Sequence, residues 1–333
     1  MRADKEKLGD RMMNKVFVLG SMNVDFVMTA PRVPKEGETI HGDGFMINEG
    51  GKGANQAVAA AKSGAPVYMI GCVGDDSISE TVLASLKKYR VNTQFVTRCA
   101  GVNTGAAQIT VVNGDNRIIL SAGANYRITR ENIDAALEIG SAGDVFIVQN
   151  EIKEEMIGYG LERAHAKGLL TIFNPAPAKV FPEEILRNVR LLVANEIEAV
   201  QITQTSSLLQ ALESLCRRAA TQAVVTLGEK GSLLIDGERD IRQIPAVRVQ
   251  AVDTTAAGDT FIGVVGSCLA QGLPLESAMA RATVASALTV TKSGAQCSIP
   301  TREDCERFAK EKNISVKAKT LGSEDFAWLA SLG

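Results

Sequence analysis

"AVDTTAAGDTFIG", Ala251 to Gly263, sets two acids in a run of small residues with apolar sequence on either side. Upstream, "VRVQAV" (247–252) alternates as a strand does. Downstream, "DTFIGVVGSCLAQG" (259–272) has the apolar content of a helix that stops at Gly272. "DTTAAG" is therefore expected to turn a strand into a helix. The first N–H groups of a helix have no intrahelical acceptor, and Ala256, Ala257 and Gly258 are too small to cover them, so the turn suits an anion. Asp259 falls in the first turn, where the helix dipole stabilises a carboxylate by about 0.3–1 kcal/mol. Beside an anion pocket it could take a proton from a substrate hydroxyl. Capping a helix is the competing use of Asp253 or Asp259.

Working outward, short apolar runs alternate with helical patterns. "KVFVLGS", "APVYMIGCVG", "GDVFIVQNE", "LLTIFNPAP", "VRLLVANEIE" and "QAVVTLGEKG" read as strands; "SETVLASLKKY", "EEMIGYGLERAHAKG" and "SLLQALESLCRRAAT" read as helices. That order implies an α/β fold: a doubly wound, mainly parallel sheet flanked by helices on both faces. Two β-rich stretches, about 26–48 and 104–121, break the rhythm, and "NGDN" (113–116) reads as a hairpin turn. They are expected to form a small β-sheet lid on one domain spanning 15–310. Residues 1–14 read as a leader and 311–333 as a tail that contains the single Trp, Trp328.

Composition narrows the chemistry. The 333 residues are 45% hydrophobic and 22% charged with a net charge of -2, which supports a large core and lacks the basic excess of a nucleic-acid binder. Six scattered cysteines form no C-x-x-C pair, so neither a disulfide framework nor a zinc cage is expected and a reducing cytoplasm is the simplest setting. Two histidines leave little for histidine-based catalysis. The charged first residues lack a secretory core, and no apolar run approaches the ~18 residues of a membrane span. An enzyme built from this chain would rely on carboxylates and backbone dipoles.

Four further stretches could carry such chemistry. In "NEGGKGANQAVAAA" (48–61), Gly50, Gly51 and Gly53 let backbone approach a ligand and the Ala-rich helix can pack tightly; a plain turn is the alternative. It is not a Walker A loop, because Met46 stands at the first glycine position and Gly53 follows Lys52. "GSMNVD" (20–25) follows the first strand, where open α/β sheets bind ligands; Asn23 and Asp25 suit vicinal hydroxyls, or simply form a turn. In "ANEIEA", Asn195 and Glu198 could organise hydrated Mg²⁺ or cap a helix. In "TLGEKG", Thr226, Gly228 and Gly231 could face a nucleotide or turn a hairpin.

Taken together and in order, "GSMNVD", "GGKGANQAVAAA", "NEIE", "TLGEKG", "VDTTAAGDTF" and "VTKSGAQCSIP" closely resemble the motifs of the ribokinase family of sugar kinases over about residues 15–310. The resemblance implies a ribokinase-like fold and ATP-dependent phosphorylation of the 5-hydroxyl of D-ribose. Another furanose such as deoxyribose or fructose, a nucleoside, or a non-catalytic sugar sensor are the alternatives. By matching positions, Asn23, Asp25, Gly50, Gly51, Lys52, Asn55 and Glu151 would hold the sugar. Asn195, Thr226, Gly228 and Gly231 would hold the nucleotide, and Glu198 would act on Mg²⁺ through water. Asp259 would be the general base, with Ala256, Ala257 and Gly258 as its oxyanion pocket. A monovalent cation, K⁺ as activator, would be held by Asp253, Thr255, Thr289, Lys292, Gly294 and Ser298. A homodimer through the lid is the implied assembly. Ile262, Cys297 and Glu49 depart from the family pattern; the first two should alter packing, and Glu49 bears on sugar preference.

Overall fold

The computed structural model describes residues 13–217, 222–237 and 240–321. Strand β1 (Val16–Leu19) shows why the main sheet is covered on both sides. Val16 and Val18 enter one core, Phe17 and Leu19 the other, and all four are fully buried. Apolar residues on both faces of a strand demand cover on both faces, and each such side chain contributes about 1.5–3 kcal/mol.

β1 lies between and parallel to β4 (Val67–Gly74) and β8 (Val145–Gln149). From β1 the chain steps outward through β4 to β5 (Asn92–Cys99). It then returns to the opposite side of β1 at β8 and continues through β9 (Leu170–Asn174), β10 (Leu191–Asn195) and β11 (Gln222–Thr226). These seven strands are parallel. Antiparallel β12 (Ser232–Ile235), β13 (Ile241–Ile244) and β14 (Lys319–Thr320) complete a ten-stranded sheet. The chain therefore reverses its winding between β1 and β8, and the loops after these two strands border a crevice suited to a ligand.

Helices α1 (Lys52–Lys62), α2 (Ser77–Lys88), α8 (Ala257–Ala270) and α9 (Leu275–Thr289) contribute to one core. On the other face lie α3 (Arg130–Leu137), α4 (Glu154–Ala166), α5 (Glu183–Leu186), α6 (Glu196–Thr203) and α7 (Leu208–Cys216), while α10 (Arg302–Glu311) precedes the last strand. This is the doubly wound arrangement expected from the sequence. Helix α1 is buried at every position from Gly53 to Ala60, because it lies between the sheet and α8. The two helices approach so closely that a Cβ on Gly263 would stand 2.3 Å from the Gln56 carbonyl oxygen and 2.6 Å from Ala59 Cβ.

A second, four-stranded sheet runs in the order β3 (Gly44–Gly50), β2 (Asn23–Thr29), β6 (Gly105–Val112), β7 (Asp115–Ser121). β2 begins directly after β1, with Gly20, Ser21 and Met22 between them. Asn113 and Gly114, at φ 52° and 84°, turn β6 into β7 as a two-residue loop, the left-handed pair such a hairpin prefers. Its edge strands leave Phe45, Met46, Ile47, Ile118, Ile119 and Leu120 exposed.

One expected strand does not form. "VRVQAV" (247–252) carries no sheet pairing; instead the Val252 and Asp253 amides both donate to the Val290 carbonyl, at 2.7 and 3.2 Å, at the end of α9. Its alternating valines arise because Val247 and Val249 line a cavity, a demand on side chains that needs no strand partner. Of the expected leader, residues 1–12 lie outside the described residues, as do 322–333 of the tail with Trp328.

Candidate active site

Helix α8 starts at Ala257 behind Ala256, which has left-handed backbone angles (φ 60°, ψ 8°) and no side-chain cap. A non-glycine residue held there costs of order 1–3 kcal/mol and marks a turn that its surroundings enforce. The Ala257 amide makes a long bond of 3.3 Å to the Thr254 carbonyl. The Gly258 and Asp259 amides have no acceptor among the described residues. Ala256 N likewise has no acceptor among the described residues, so the open donors of the turn are those of Ala256, Gly258 and, beyond the expected set, Asp259 itself.

Asp259 is 8% exposed. Its Oδ2 accepts from Asn55 Nδ2 and its Oδ1 from Gln56 Nε2, both at 3.0 Å. The bonds run onward through buried amides: Gln56 Oε1 accepts from Gln149 Nε2 at 2.8 Å, Gln56 Nε2 also approaches Asn174 Oδ1 at 3.3 Å, and Asn174 Nδ2 donates to the Val193 carbonyl at 2.9 Å. Asn55 Oδ1 is buried without a partner among the described residues, an acceptor suited to a ligand hydroxyl.

The crevice between β1 and β8 holds the second group. Ser21 Oγ donates to Glu151 Oε2 at 2.5 Å, and the Lys52 amide donates to the same oxygen at 3.2 Å. Gly51, at φ 89°, and Gly53 make this possible: a Cβ on Gly51 would lie 2.8 Å from the Asn23 amide nitrogen, and one on Gly53 2.7 Å from Ser21 N. Gly50 brings backbone against the Asp25 carboxylate, 2.3 Å from where its Cβ would stand. Asn23 is buried and accepts from Asn125 Nδ2 at 2.7 Å. Burial, then the charges of Glu151 and Asp259, push the Asp25 carboxyl up to about 6. For Lys52, burial works against the charged form, but Asp259, Glu151 and Glu198 outweigh it and raise its pKa.

Two cavities meet at the start of α8. The larger, about 830 Å³, is lined by Thr226, Gly228, Gly231, Val249, Phe261 and Ala287 among others. The smaller, about 230 Å³, is bordered by Lys52, Asn174, Asn195, Glu198, Asp259 and Ile262. Thr226, Thr254, Ala257 and Gly258 line both. Asn195 and Glu198 form a reciprocal cap on α6: Glu198 N donates to Asn195 Oδ1 at 2.8 Å and Asn195 N to Glu198 Oε2 at 2.9 Å. The capping use and a cavity-facing use coexist, because the cap engages Oε2 of Glu198 while the residue also lines the smaller cavity. Among the described residues no cluster of three or more His, Cys, Asp or Glu could hold a metal ion.

Asp253 gathers part of the expected cation group. Its Oδ1 accepts from Thr255 N at 2.9 Å and Thr255 Oγ1 at 2.6 Å, and its Oδ2 from Gly294 N at 2.9 Å. Burial raises its pKa, but these donors outweigh burial and hold it below the ordinary carboxylate value. Lys292 N donates to the Thr289 carbonyl at 3.2 Å. The Thr289 hydroxyl lies against Thr260 Oγ1 and the Ala285 carbonyl, and Ser298 Oγ donates to Ala295 O within its own turn. Cys297 is exposed with its thiol on the Ser293 carbonyl, and Ile262 packs in the core while touching the smaller cavity.

Reading the sequence alone misses Ser21, Gln56, Asn125, Gln149 and Asn174. Gln56 and Ser21 lie inside quoted motifs, where their neighbours drew the attention. Gln149 and Asn174 end β8 and β9, and two amides ending adjacent parallel strands were the available signal.

The sequence pattern of "pfkB family carbohydrate kinase" matches residues 13–302. A ribokinase of Schizosaccharomyces pombe is 39% identical over 303 residues, covering 86% of this chain and 95% of that one. A deoxyribokinase of Salmonella typhi is 34% identical over 300 residues, covering 88% of this chain and 98% of that one. The structure of Arabidopsis thaliana ribokinase complexed with ribose and ATP superposes with a TM-score of 0.82 at 28% identity, over 90% of this chain and 99% of that one. Among the described residues no helix is long and apolar enough to cross a membrane. The chain belongs to the ribokinase, or pfkB, family of carbohydrate kinases and is a sugar phosphotransferase.

Proposed function

We propose that this chain transfers the γ-phosphoryl group of ATP to the 5-hydroxyl of D-ribose. The observation that carries the reading is the meeting of the two cavities at α8, where the Asp259 carboxylate stands beside the unpaired Gly258 and Asp259 amides. The nucleotide takes the larger cavity, along Thr226, Gly228 and Gly231, and its phosphates point at α8 and toward Asn195 in the smaller cavity. Sugar hydroxyls engage Asn23, Asp25, Asn55 Oδ1, Glu151 and the Gly50–Gly51–Lys52 backbone.

Asp259 takes the hydroxyl proton as the sugar oxygen bonds to the γ-phosphorus. The bond from that phosphorus to the β–γ bridging oxygen breaks, and ADP leaves with the electron pair. The amides at the Ala256–Ala257–Gly258 turn stabilise charge on the equatorial oxygens, and the Lys52 ammonium adds a positive charge. Positioning and charge neutralisation suffice for a phosphoryl group that carries its own leaving group. Bound Mg²⁺, reached by Glu198 through water, would neutralise phosphate charge. A monovalent cation, K⁺, would be held by the loops of Asp253, Thr255, Thr289, Lys292, Gly294 and Ser298, keeping the turn in shape.

Ribose is preferred over deoxyribose because a ribokinase relative is nearer in identity than the deoxyribokinase and because Asp25 and Glu151 offer carboxylates to vicinal hydroxyls. The four-stranded sheet, with Asn23 and Asp25 on β2, is the lid, and its exposed Phe45, Ile47 and Ile119 are the contact of a homodimer in the cytoplasm. The deciding experiment measures ADP release with Mg²⁺-ATP and D-ribose, 2-deoxyribose, fructose or a nucleoside, and locates the product phosphate by phosphorus–proton coupling. Fastest turnover with ribose, and phosphate on C5, is expected. Faster turnover with another acceptor, or phosphate on another carbon, would replace this reading.

A further inference from the structure

We infer that Gln56, Gln149 and Asn174 are positioning residues that hold the Asp259 carboxylate in one plane. The inference rests on the proposed role of Asp259 as the base.

Hydrogen-bond polarity permits one arrangement of these amides. A carboxylate only accepts, so Gln56 must turn Nε2 to Asp259 Oδ1, 3.0 Å away. Gln56 Oε1 then faces Gln149, which must offer Nε2, at 2.8 Å. Asn174 commits Nδ2 to the Val193 carbonyl and so presents Oδ1 to Gln56. The two hydrogens of Gln56 Nε2 are thereby divided between Asp259 and Asn174. Gln56, Gln149 and Asn174 are all buried, Gln56 and Gln149 fully so.

The far end of the chain shows where the polarity is set. Gln149 Oε1 is buried with no partner among the described residues and lies 2.0 Å from where a Cβ on Gly20 would stand. Turning the Gln149 amide over would bring two carbonyl oxygens together at Gln56, so the orientation dictated by Asp259 propagates to β8 and leaves the mismatch there. The carboxylate on α8 is referenced through α1 to the ends of β8 and β9. Asn55, its other donor, comes from α1 alone.

Without Gln56 the carboxylate keeps one donor and can rotate away from the hydroxyl. A misplaced catalytic group costs up to about a hundredfold. The test uses the full chain carrying Gln56→Met, which keeps the length of the side chain and removes both polar atoms. Turnover and both KM values are measured at one neutral pH with the sugar that gives turnover.

The expected result is a kcat about ten- to a hundredfold lower with sugar KM within about twofold. A merely structural role would lower the melting temperature and leave kcat, measured well below it, unmoved. An unmoved kcat overturns the inference, as does an effect confined to KM. If Gln56→Met does not fold, Gln149→Met, one residue further along the network from Asp259, is measured instead: a smaller fall in kcat at unchanged KM supports the inference and none overturns it. An active Asp259→Asn variant would instead remove the base assignment, so the two failures are distinguishable.

Discussion

Replacing Asp259 by Asn tests the proposed chemistry while disturbing the least structure. The side chain keeps its shape but presents one acceptor oxygen where the carboxylate presents two. Asn55 Nδ2 and Gln56 Nε2 each donate to a separate oxygen at 3.0 Å, so one of them must face the new NH₂ group. That buried loss destabilises the fold by about 1–3 kcal/mol, which a melting curve will register. Turnover should fall much further than this stability loss would explain. An amide cannot take the hydroxyl proton, and losing a general base costs at least about a hundredfold, close to 2.7 kcal/mol in barrier. Ribose should still bind, because Asn23, Asp25 and Glu151 are untouched. ADP release under saturating ATP, with calorimetric titration of ribose into the same preparation, separates the two effects. Turnover within about tenfold of the parent, with ribose bound normally, would refute the assignment.

Gly258→Ala should separate activity from stability in the opposite sense. A Cβ there meets no atom within 4 Å, and alanine improves a helix interior by about 0.5–1 kcal/mol, so melting should hold or rise while the added methyl crowds the phosphates and raises the KM for ATP; an unchanged KM would remove the phosphates from this turn. For Asp25, held at about 6 first by burial and then by Glu151 and Asp259, the ionised form is the better acceptor for sugar hydroxyls, so the KM for ribose should rise as pH falls through that value. Glu151→Gln removes one of the neighbouring charges and should move the transition to lower pH; a transition unmoved in this variant would take Asp25 out of the profile. The stability linkage has the opposite sense: because the folded value is raised, the contribution of Asp25 is fully present below its ordinary 3.8 and is lost as pH rises through about 6. Ile119, 70% exposed on β7, should govern assembly: Ile119→Lys is expected to yield monomers by light scattering, and an unchanged mass would place the dimer contact elsewhere.

Much of the fold was legible because it rests on short-range periodicity. In "VFVL" and "VFIVQ" successive residues enter opposite cores, and continuous apolar runs of that length between helical patterns have few other uses. Asp259 was legible because its setting is local: small residues, a helix start and an acid within four positions. The amides around it were not, since Gln56, Gln149 and Asn174 come from three elements and acquire meaning only when α1 is laid across β8 and β9. "VRVQAV" misled for a related reason, because alternation reports which side chains are covered and says nothing of what pairs with the backbone. The 3.0 Å bond between Asn55 and Asp259 joins residues 204 positions apart, a distance that no window of sequence spans.

The tight seating of α8 on α1 has a consequence for how this scaffold can change. Gly263 removes the side chain that would otherwise hold the two backbones apart, so the open amides and Asp259 at the head of one helix keep a fixed spacing from Asn55 at the head of the other. In the proposed reaction that spacing acts as a gauge between the phosphorus and the attacking oxygen. New acceptors can therefore be admitted through the β2 strand that carries Asn23 and Asp25, whereas altering the gauge itself would require repacking the centre of the molecule.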